Sequence, residues 1–184
     1  MSLPASFEGR ERARLFCALR LPEPALDVLS EWQAAHLEHG RVVPREQLHL
    51  TLAFLGHRPV DELEAIAGAL REAAAAARPI QLVPERYRET RSVGMLVLTD
   101  VAGTATSLAE ELFGRLERLG VYERERRAWL PHVTVLRFRN PPRLRPPLPE
   151  LEEVVMPSDA AVFLSRLRPT GAEYVVVESF ALGG

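Results

Sequence analysis

The feature that most constrains this chain is a four-residue pattern, His-x-Thr-x, which occurs twice within apolar segments. The first copy begins at His49 in LHLTLAFL, and the second begins at His132 in PHVTVLRF. Side chains alternate between the two faces of a β-strand, so each copy predicts one imidazole and one hydroxyl, from Thr51 or Thr134, on a shared face. The aliphatic neighbours then anchor the other face in a core. Two such strands set opposite each other would bring two imidazoles to one cleft, where they can serve as general acid and general base.

The elements around the two motifs also repeat. Hydrophobic periodicity predicts a first unit with a strand over 13–21, a helix over about 22–40 and the His49 strand over 48–55, closed by Gly56. The second unit has a strand over 93–98, a helix over about 104–119 and the His132 strand over 131–138. The remaining elements are a helix over about 59–77 and strands over 80–86, 160–166 and 174–179. We therefore expect an α+β fold with a pseudo-two-fold duplication, in which antiparallel sheets carry helices on their outer faces.

Length and charge limit the classes of protein. With 184 residues, the chain is expected to form a single two-lobed domain over 1–184, with residues 1–12 as a flexible tail. A formal charge of −2 argues against a surface built for broad nucleic-acid binding, although a local basic cleft is compatible with it. All 23 basic residues are arginines. The absence of lysine excludes a P-loop, a Schiff-base mechanism and a ligase that carries a nucleotide on lysine.

Cysteine content and hydropathy bear on the cellular setting. Cys17 is the only cysteine, which excludes a disulfide within the chain and a thiolate zinc site of the usual spacing. Residues 1–14 lack the apolar region of a signal peptide, and no apolar segment approaches the ~18–20 residues of a membrane span. We expect a cytoplasmic monomer that does not bind membranes.

Phosphodiester chemistry suits the paired motifs better than two other mechanisms. A catalytic metal site requires a third protein ligand, and neither motif strand contains Asp, Glu or Cys. A serine triad is disfavoured because the sequence has no G-x-S-x-G. In phosphodiester cleavage, one imidazole removes a proton from the attacking oxygen and the other protonates the leaving oxygen. Threonine hydroxyls and an arginine can stabilise charge on the non-bridging oxygens, so we expect neither a metal nor a cofactor.

The residues around both motifs resemble the two-histidine phosphoesterase superfamily, which is defined by paired H-x-T-x motifs. More closely, the chain is similar to the RNA 2′,3′-cyclic phosphodiesterases, also called 2′-5′ RNA ligase-like proteins. The resemblance covers nearly the whole chain. It includes RLFCAL from Arg14, VPREQLHLTLAFLG from Val43, RAWLPHVTVLR from Arg127 and GAEY from Gly171. It implies a bilobal fold with a central V-shaped cleft that carries one motif on each side.

The resemblance also implies an activity, which is metal-independent hydrolysis of a 2′,3′-cyclic phosphate at an RNA end to a 2′-phosphomonoester. It implies that His49 protonates the departing 3′ oxygen and that His132 activates water. It further implies that Thr51 and Thr134 hold phosphate oxygens and that Arg137 adds positive charge. The expected substrate is RNA with a 2′,3′-cyclic phosphate end or a small nucleotide.

The chain departs from the family pattern in two places. Thr-Val-Leu-Arg replaces the common Thr-Leu-Ala-Arg of the second motif, and the strand over 93–98 lacks an aromatic residue that the family often has there. Arg137 also raises a geometric question, because strict alternation points it to the face opposite His132. Either a bulge or a strand end turns it inward, or its role is structural. The arginines that flank the second motif and could line an RNA approach are Arg124, Arg126, Arg127, Arg139, Arg143 and Arg145.

Two other functions stay open on the sequence alone. Another activity of the same superfamily would act on 2′-5′-linked oligonucleotides or on a cyclic nucleotide-sugar phosphate. A non-catalytic RNA-binding module would use the cleft without turnover. Intact histidine and threonine residues in both motifs disfavour the second of these alternatives.

Overall fold

The computed structural model describes residues 11–151, 154–169 and 171–183, so most of the expected tail lies outside the described residues. The elements in chain order are β1 (Arg12–Arg20), α1 (Glu23–His36), β2 (Arg41–Val42), β3 (His49–Pro59), α2 (Leu63–Ala75), β4 (Leu82–Glu89), β5 (Val93–Asp100), α3 (Thr104–Arg118), β6 (His132–Arg137), β7 (Asp159–Arg168) and β8 (Gly171–Ala181). The predicted α+β class is confirmed.

The strands form one antiparallel sheet in the order β4-β5-β6-β3-β1-β7-β8, and β2 pairs with β6. The two expected lobes are therefore two halves of a single curled sheet. The halves meet between β3 and β6, where Leu50 lies opposite Val133. These are the residues between the histidine and the threonine of each motif. The pseudo-two-fold axis thus passes through the motifs themselves.

The repeated order of elements predicted from the sequence is confirmed. β1, α1 and β3 form one unit, and β5, α3 and β6 form the other. Each motif strand pairs antiparallel with the first strand of its own unit, which sets Arg20 opposite His49 and Val97 opposite His132. Each unit therefore delivers its histidine at the boundary between the two halves of the sheet.

The core lies on the face of the sheet away from the motif histidines. α3 buries Leu108, Leu112 and Leu116 at helical spacing, and α1 begins after Pro22 with a second proline in its first turn. The largest side chains that are completely buried include Leu15, Leu19, Leu50, Ile66, Leu96 and Leu112. Burial of such a leucine contributes about 1.5–3 kcal/mol, so the aliphatic residues of the motif strands anchor the polar residues beside them.

Several element boundaries differ from those predicted. β3 does not end at Gly56 but continues to Pro59, with Gly56 inside it at a φ of +68°. α1 ends at His36 rather than near 40, and α2 begins at Leu63 after a 3₁₀ turn. β1 begins at Arg12, and β2 was not predicted. The longest of the three helices has 15 residues, and within the described chain none has the length and hydropathy needed to span a membrane.

Candidate active site

The strand register brings the four polar residues of the motifs together. Because Leu50 lies opposite Val133 in an antiparallel pair, His49 faces Thr134 and Thr51 faces His132. Residues directly opposite each other share a face of the sheet. All four side chains are half-buried, whereas their aliphatic neighbours are buried. The predicted clustering of two imidazoles and two hydroxyls is therefore present on one face.

Both imidazoles are held in the same tautomer by the backbone. Nδ1 of His49 lies 2.7 Å from the carbonyl oxygen of Gln47, and Nδ1 of His132 lies 2.8 Å from that of Leu130. A carbonyl oxygen only accepts hydrogen bonds, so each Nδ1 carries the proton and donates it. This leaves each Nε2 as the nitrogen available to a substrate. In both motifs the partner is the carbonyl two residues before the histidine, as expected for a duplicated backbone.

Each motif strand contains a β-bulge three residues after its histidine. In β3 the register skips Leu52, and in β6 it skips Val135. A bulge adds one residue to one strand and reverses the alternation beyond it. The residues five positions after the histidines, Phe54 and Arg137, are consequently returned to the polar face. This resolves the geometric question about Arg137, because it lines a cavity together with His49 and Thr134.

A buried glutamine supports the second bulge. The carbonyl of the extra residue, Val135, accepts hydrogen bonds from Nε2 of Gln33 at 2.8 Å and from the backbone N–H of Val43 at 3.1 Å. Gln33 is only 1% exposed, and it also donates to the carbonyl of Val43. A buried carbonyl without a partner is costly, so this amide from α1 stabilises the backbone shape that directs Arg137 inward.

The motif residues line a cavity of 290 Å³ that spans both halves of the sheet. His49, Thr51, Thr134 and Arg137 all contribute to it. Tyr174, on β8, closes one side, and Nη2 of Arg137 donates to its hydroxyl over 3.4 Å. The imidazole of His49, two hydroxyls and the guanidinium of Arg137 thus line a space of a size that suits a phosphate group and part of its ester, and the side chains of Arg14 and Arg41 line it as well.

His49 lies among aromatic rings. Its ring centroid is 4.9 Å from Phe16, 5.3 Å from Tyr174 and 5.8 Å from Phe163. Burial in this environment lowers the pKa of His49 to about 4. The hydrogen bond to Gln47 opposes the decrease, and the charges of Arg137 and His132 add to it. His49 is therefore neutral at pH 7 in the absence of substrate.

His132 borders a second and larger cavity of 530 Å³. Thr51 and Phe54 line this cavity as well, so the two cavities adjoin at the first motif. Trp129 forms part of its wall and donates from Nε1 to the carbonyl of Thr51 over 3.1 Å. That hydrogen bond ties the segment before the second motif to the strand of the first. It holds the two halves of the site together.

Two residues of the site were missed by the sequence predictions. Phe54 is 50% exposed, and the guanidinium of Arg14 lies 4.8 Å from its ring centroid. The spacing of five residues that singles out Arg137 after His132 also singles out Phe54 after His49, so a signal was present. Tyr174 was part of the family resemblance, but nothing in the sequence linked it to His49.

The expected arginine track is only partly present. Arg124 lines the larger cavity, but it is paired with Glu110 and Glu117. Arg127 also lines it and is paired with Glu125. Arg126, Arg139, Arg143 and Arg145 line neither of the two cavities at the motifs. Among the described residues, no group of three or more His, Cys, Asp or Glu side chains is arranged to hold a metal ion.

Comparison with known proteins identifies the family of the chain. The family model of the LigT-like phosphoesterases matches residues 19–87. The RNA 2′,3′-cyclic phosphodiesterase of Thermus thermophilus is 33% identical over 187 residues, which cover 93% of this chain and 91% of the relative. The protein of the same name from Escherichia coli is 40% identical over 67 residues, or 34% of this chain and 38% of the relative.

Solved structures share the fold. The crystal structure of TT0787 of Thermus thermophilus has a TM-score of 0.79 and 31% identity, covering 93% of this chain and 98% of that one. The crystal structure of E. coli LigT complexed with 3′-AMP also has a TM-score of 0.79, with 24% identity, and covers 95% of this chain and all of that one. The identity to the T. thermophilus relative over nearly the full length of both chains shows that this chain belongs to the LigT-like phosphoesterase family.

Proposed function

We propose that the protein hydrolyses 2′,3′-cyclic phosphate ends of RNA to 2′-phosphomonoesters with its two motif histidines as acid and base. The observation that carries the proposal is the shared geometry of the motifs. Both imidazoles have Nδ1 bound to a backbone carbonyl, so both leave Nε2 for the substrate on a face that also carries two hydroxyls and Arg137. The name of the T. thermophilus relative supports the choice of substrate.

The proposed reaction follows from these positions. Nε2 of His132 removes a proton from water, the water oxygen bonds to phosphorus, and the bond to the 3′ oxygen breaks. His49 gives the proton from its Nε2 to that oxygen, which leaves the phosphate on the 2′ oxygen. Thr51, Thr134 and Arg137 stabilise the charge that develops on the non-bridging oxygens. The larger cavity takes the nucleoside, and the exposed ring of Phe54 offers it a stacking surface.

His49 must gain a proton before it can act as the acid. Because its pKa is about 4 in the substrate-free protein, the anionic phosphate has to raise that pKa on binding. The kcat/KM profile reports the free enzyme, so we expect a bell shape with one limb near pH 4 rather than in the ordinary histidine range. Coupling of protonation to binding would make the acid available only when a phosphate is present.

Turnover of a short RNA with a 2′,3′-cyclic end, in excess chelator, tests the proposal. We expect a 2′-phosphomonoester as the product and a rate that chelation does not change, because the motif strands supply no carboxylate or thiolate ligand. Loss of activity that zinc or manganese restores would contradict the metal-free mechanism. Tight binding without turnover would instead favour an RNA-binding module. Cytoplasmic location and a monomeric state stay predictions.

A further inference from the structure

Arg88 lies in the larger cavity, at the end that is far from the two motifs. Thr134 of β6 lies opposite Met95 of β5, and Met95 lies opposite Arg88 of β4. Residues opposite each other share a face, so these three side chains form a row that leads outward from the second motif. Adjacent strands are about 4.8 Å apart, which places the β4 backbone about 10 Å from that of β6. One nucleotide and an extended arginine side chain can span this distance together.

Three arginines line this cavity, and among the described residues Arg124 and Arg127 form ion pairs whereas Arg88 does not. Arg88 is exposed and makes no hydrogen bond or ion pair within residues 11–151, 154–169 and 171–183. Its neighbour Glu89 forms no ion pair with it, and that carboxylate instead accepts hydrogen bonds from the backbone N–H groups of Arg143 and Leu144. Arg88 thus retains its full capacity to donate hydrogen bonds to a phosphate.

The other walls of the cavity are unsuited to an anion. Glu110, Glu123 and Glu125 lie on the wall formed by α3 and the segment after it. Val93, Met95 and Trp129 contribute apolar surface between that wall and the motifs. An uncharged ribose and base fit the apolar part, whereas a phosphate is favoured only at the two ends, beside the motifs and beside Arg88.

The chemistry of RNA identifies the anion that would reach Arg88. In a chain with a cyclic phosphate at its end, the nearest other phosphate is attached to the 5′ oxygen of the same ribose. We propose that Arg88 binds this 5′ phosphate and thereby favours RNA chains over nucleoside cyclic phosphates. The inference rests on the proposed function, and it adds a residue that determines substrate specificity.

Three substrates separate the Arg88 subsite from the catalytic centre. They are adenosine 2′,3′-cyclic phosphate, the same compound with a 5′ phosphate, and the dinucleotide ApA with a 2′,3′-cyclic end. For Arg88→Gln we expect KM to rise about tenfold for the two substrates with a 5′ phosphate, with kcat unchanged, because the contact is made equally before and during the reaction. Both kinetic constants for adenosine 2′,3′-cyclic phosphate should stay within about twofold of wild type.

Arg86→Gln is the matched control. Arg86 lies on the same face of β4, two residues away, but it is paired with Glu85 and lies outside the cavity. We expect this variant to behave as wild type on all three substrates, and Arg88→Lys to recover most of the loss. An equal effect of Arg88→Gln on substrates with and without a 5′ phosphate, or no effect on any of them, would overturn the Arg88 subsite. The proposed function would not be affected by either result. Failure of the wild-type protein to hydrolyse any of the three would overturn the proposed function and the subsite with it.

Discussion

The two halves of the sheet each carry one motif, and the motifs have the same backbone conformation but different surroundings. In each half, Nδ1 of the histidine donates to the carbonyl two residues earlier, and a bulge follows three residues later. His49 is enclosed by Phe16, Phe163 and Tyr174, whereas His132 borders the larger cavity. A duplicated scaffold can therefore place two identical side chains in different environments, and burial is the main cause of the lowered pKa of His49.

The residue five positions after each histidine also differs between the two halves. Both bulges turn this position toward the polar face, but it holds Phe54 in the first half and Arg137 in the second. An aromatic ring suits a nucleobase, and a guanidinium suits a phosphate. Under the proposed function, the same backbone irregularity therefore supplies two different contacts to one substrate.

Removal of either imidazole should have the largest effect on turnover. We expect His49→Ala and His132→Ala each to lower kcat by about 10²–10⁴, the usual contribution of a positioned acid or base. The double variant should lose less than the product of the two effects, because the residues act as a unit. Steady-state rates on a cyclic-ended RNA, together with thermal melts, measure this.

His57→Ala is the control for these variants, because His57 is an exposed histidine on the same strand as His49. It should retain wild-type kcat. Near-normal turnover by either motif variant would remove the paired acid–base mechanism.

The sequence predicted the faces of the motif strands well and their irregularities poorly. Alternation placed His49 with Thr51 and His132 with Thr134, because the pattern of aliphatic residues is local. The bulge at Val135 leaves no mark in a run of aliphatic residues, and its partner Gln33 is distant in the chain. Sequence alternation therefore pointed Arg137 to the opposite face, and only the family resemblance placed it in the site.

Tertiary contacts explain most of the other differences. The arginines flanking the second motif suggested an RNA track, but ion pairs with α3 and the following segment engage Arg124 and Arg127. Such pairing depends on how the segment folds back on the helix, which charge patterning does not reveal. Tyr174 contacts His49 from a strand at the far end of the chain, so local reasoning could not connect them.

Arg137→Gln tests the second bulge position and should have the next largest effect. Loss of a charged donor at the phosphate is expected to lower kcat/KM about 10–100-fold. Because Arg137 lowers the pKa of His49, the substitution should also raise that pKa. Kinetics and an NMR titration of the variant measure the two effects. Arg139→Gln, which removes a charge outside the cavities, should change neither, and an unchanged rate in Arg137→Gln would show that its role is structural.

Phe54→Ala tests the first bulge position with a smaller effect. Stacking of a base on an aromatic ring contributes ~1–2 kcal/mol, so KM should rise about 5–30-fold with little change in kcat. Phe54→Leu should show an intermediate loss, since it keeps apolar surface without a ring. Val101→Ala, at an exposed apolar residue outside the cavities, is the control. Equal KM values for wild type and Phe54→Ala would show that the base does not stack on Phe54.

The burial of His49 should also affect the free energy of unfolding. Its pKa is about 6.5 in an unfolded chain and about 4 in the folded protein, so the unfolded state takes up the proton first as pH falls. The free energy of unfolding should therefore decrease from about pH 6.5 to about pH 4, by at most ~1.4 kcal/mol per pH unit from this residue. Denaturant melts of wild type and His49→Asn across this range measure it, and parallel curves would contradict the lowered pKa.

The contrast between the two imidazoles is tested most directly by an NMR titration of the histidine ring nitrogens. We expect Nδ1–H tautomers for both His49 and His132, and protonation of His49 only near pH 4 in the free protein. A nucleoside 2′-phosphate, the product analogue, should raise the pKa of His49 because an anion favours the imidazolium form. Protonation of His49 at or above about pH 6.5 in the free protein would contradict the lowered pKa of this residue. An Nε2–H tautomer in either ring would contradict the role of Nε2 as the nitrogen available to the substrate.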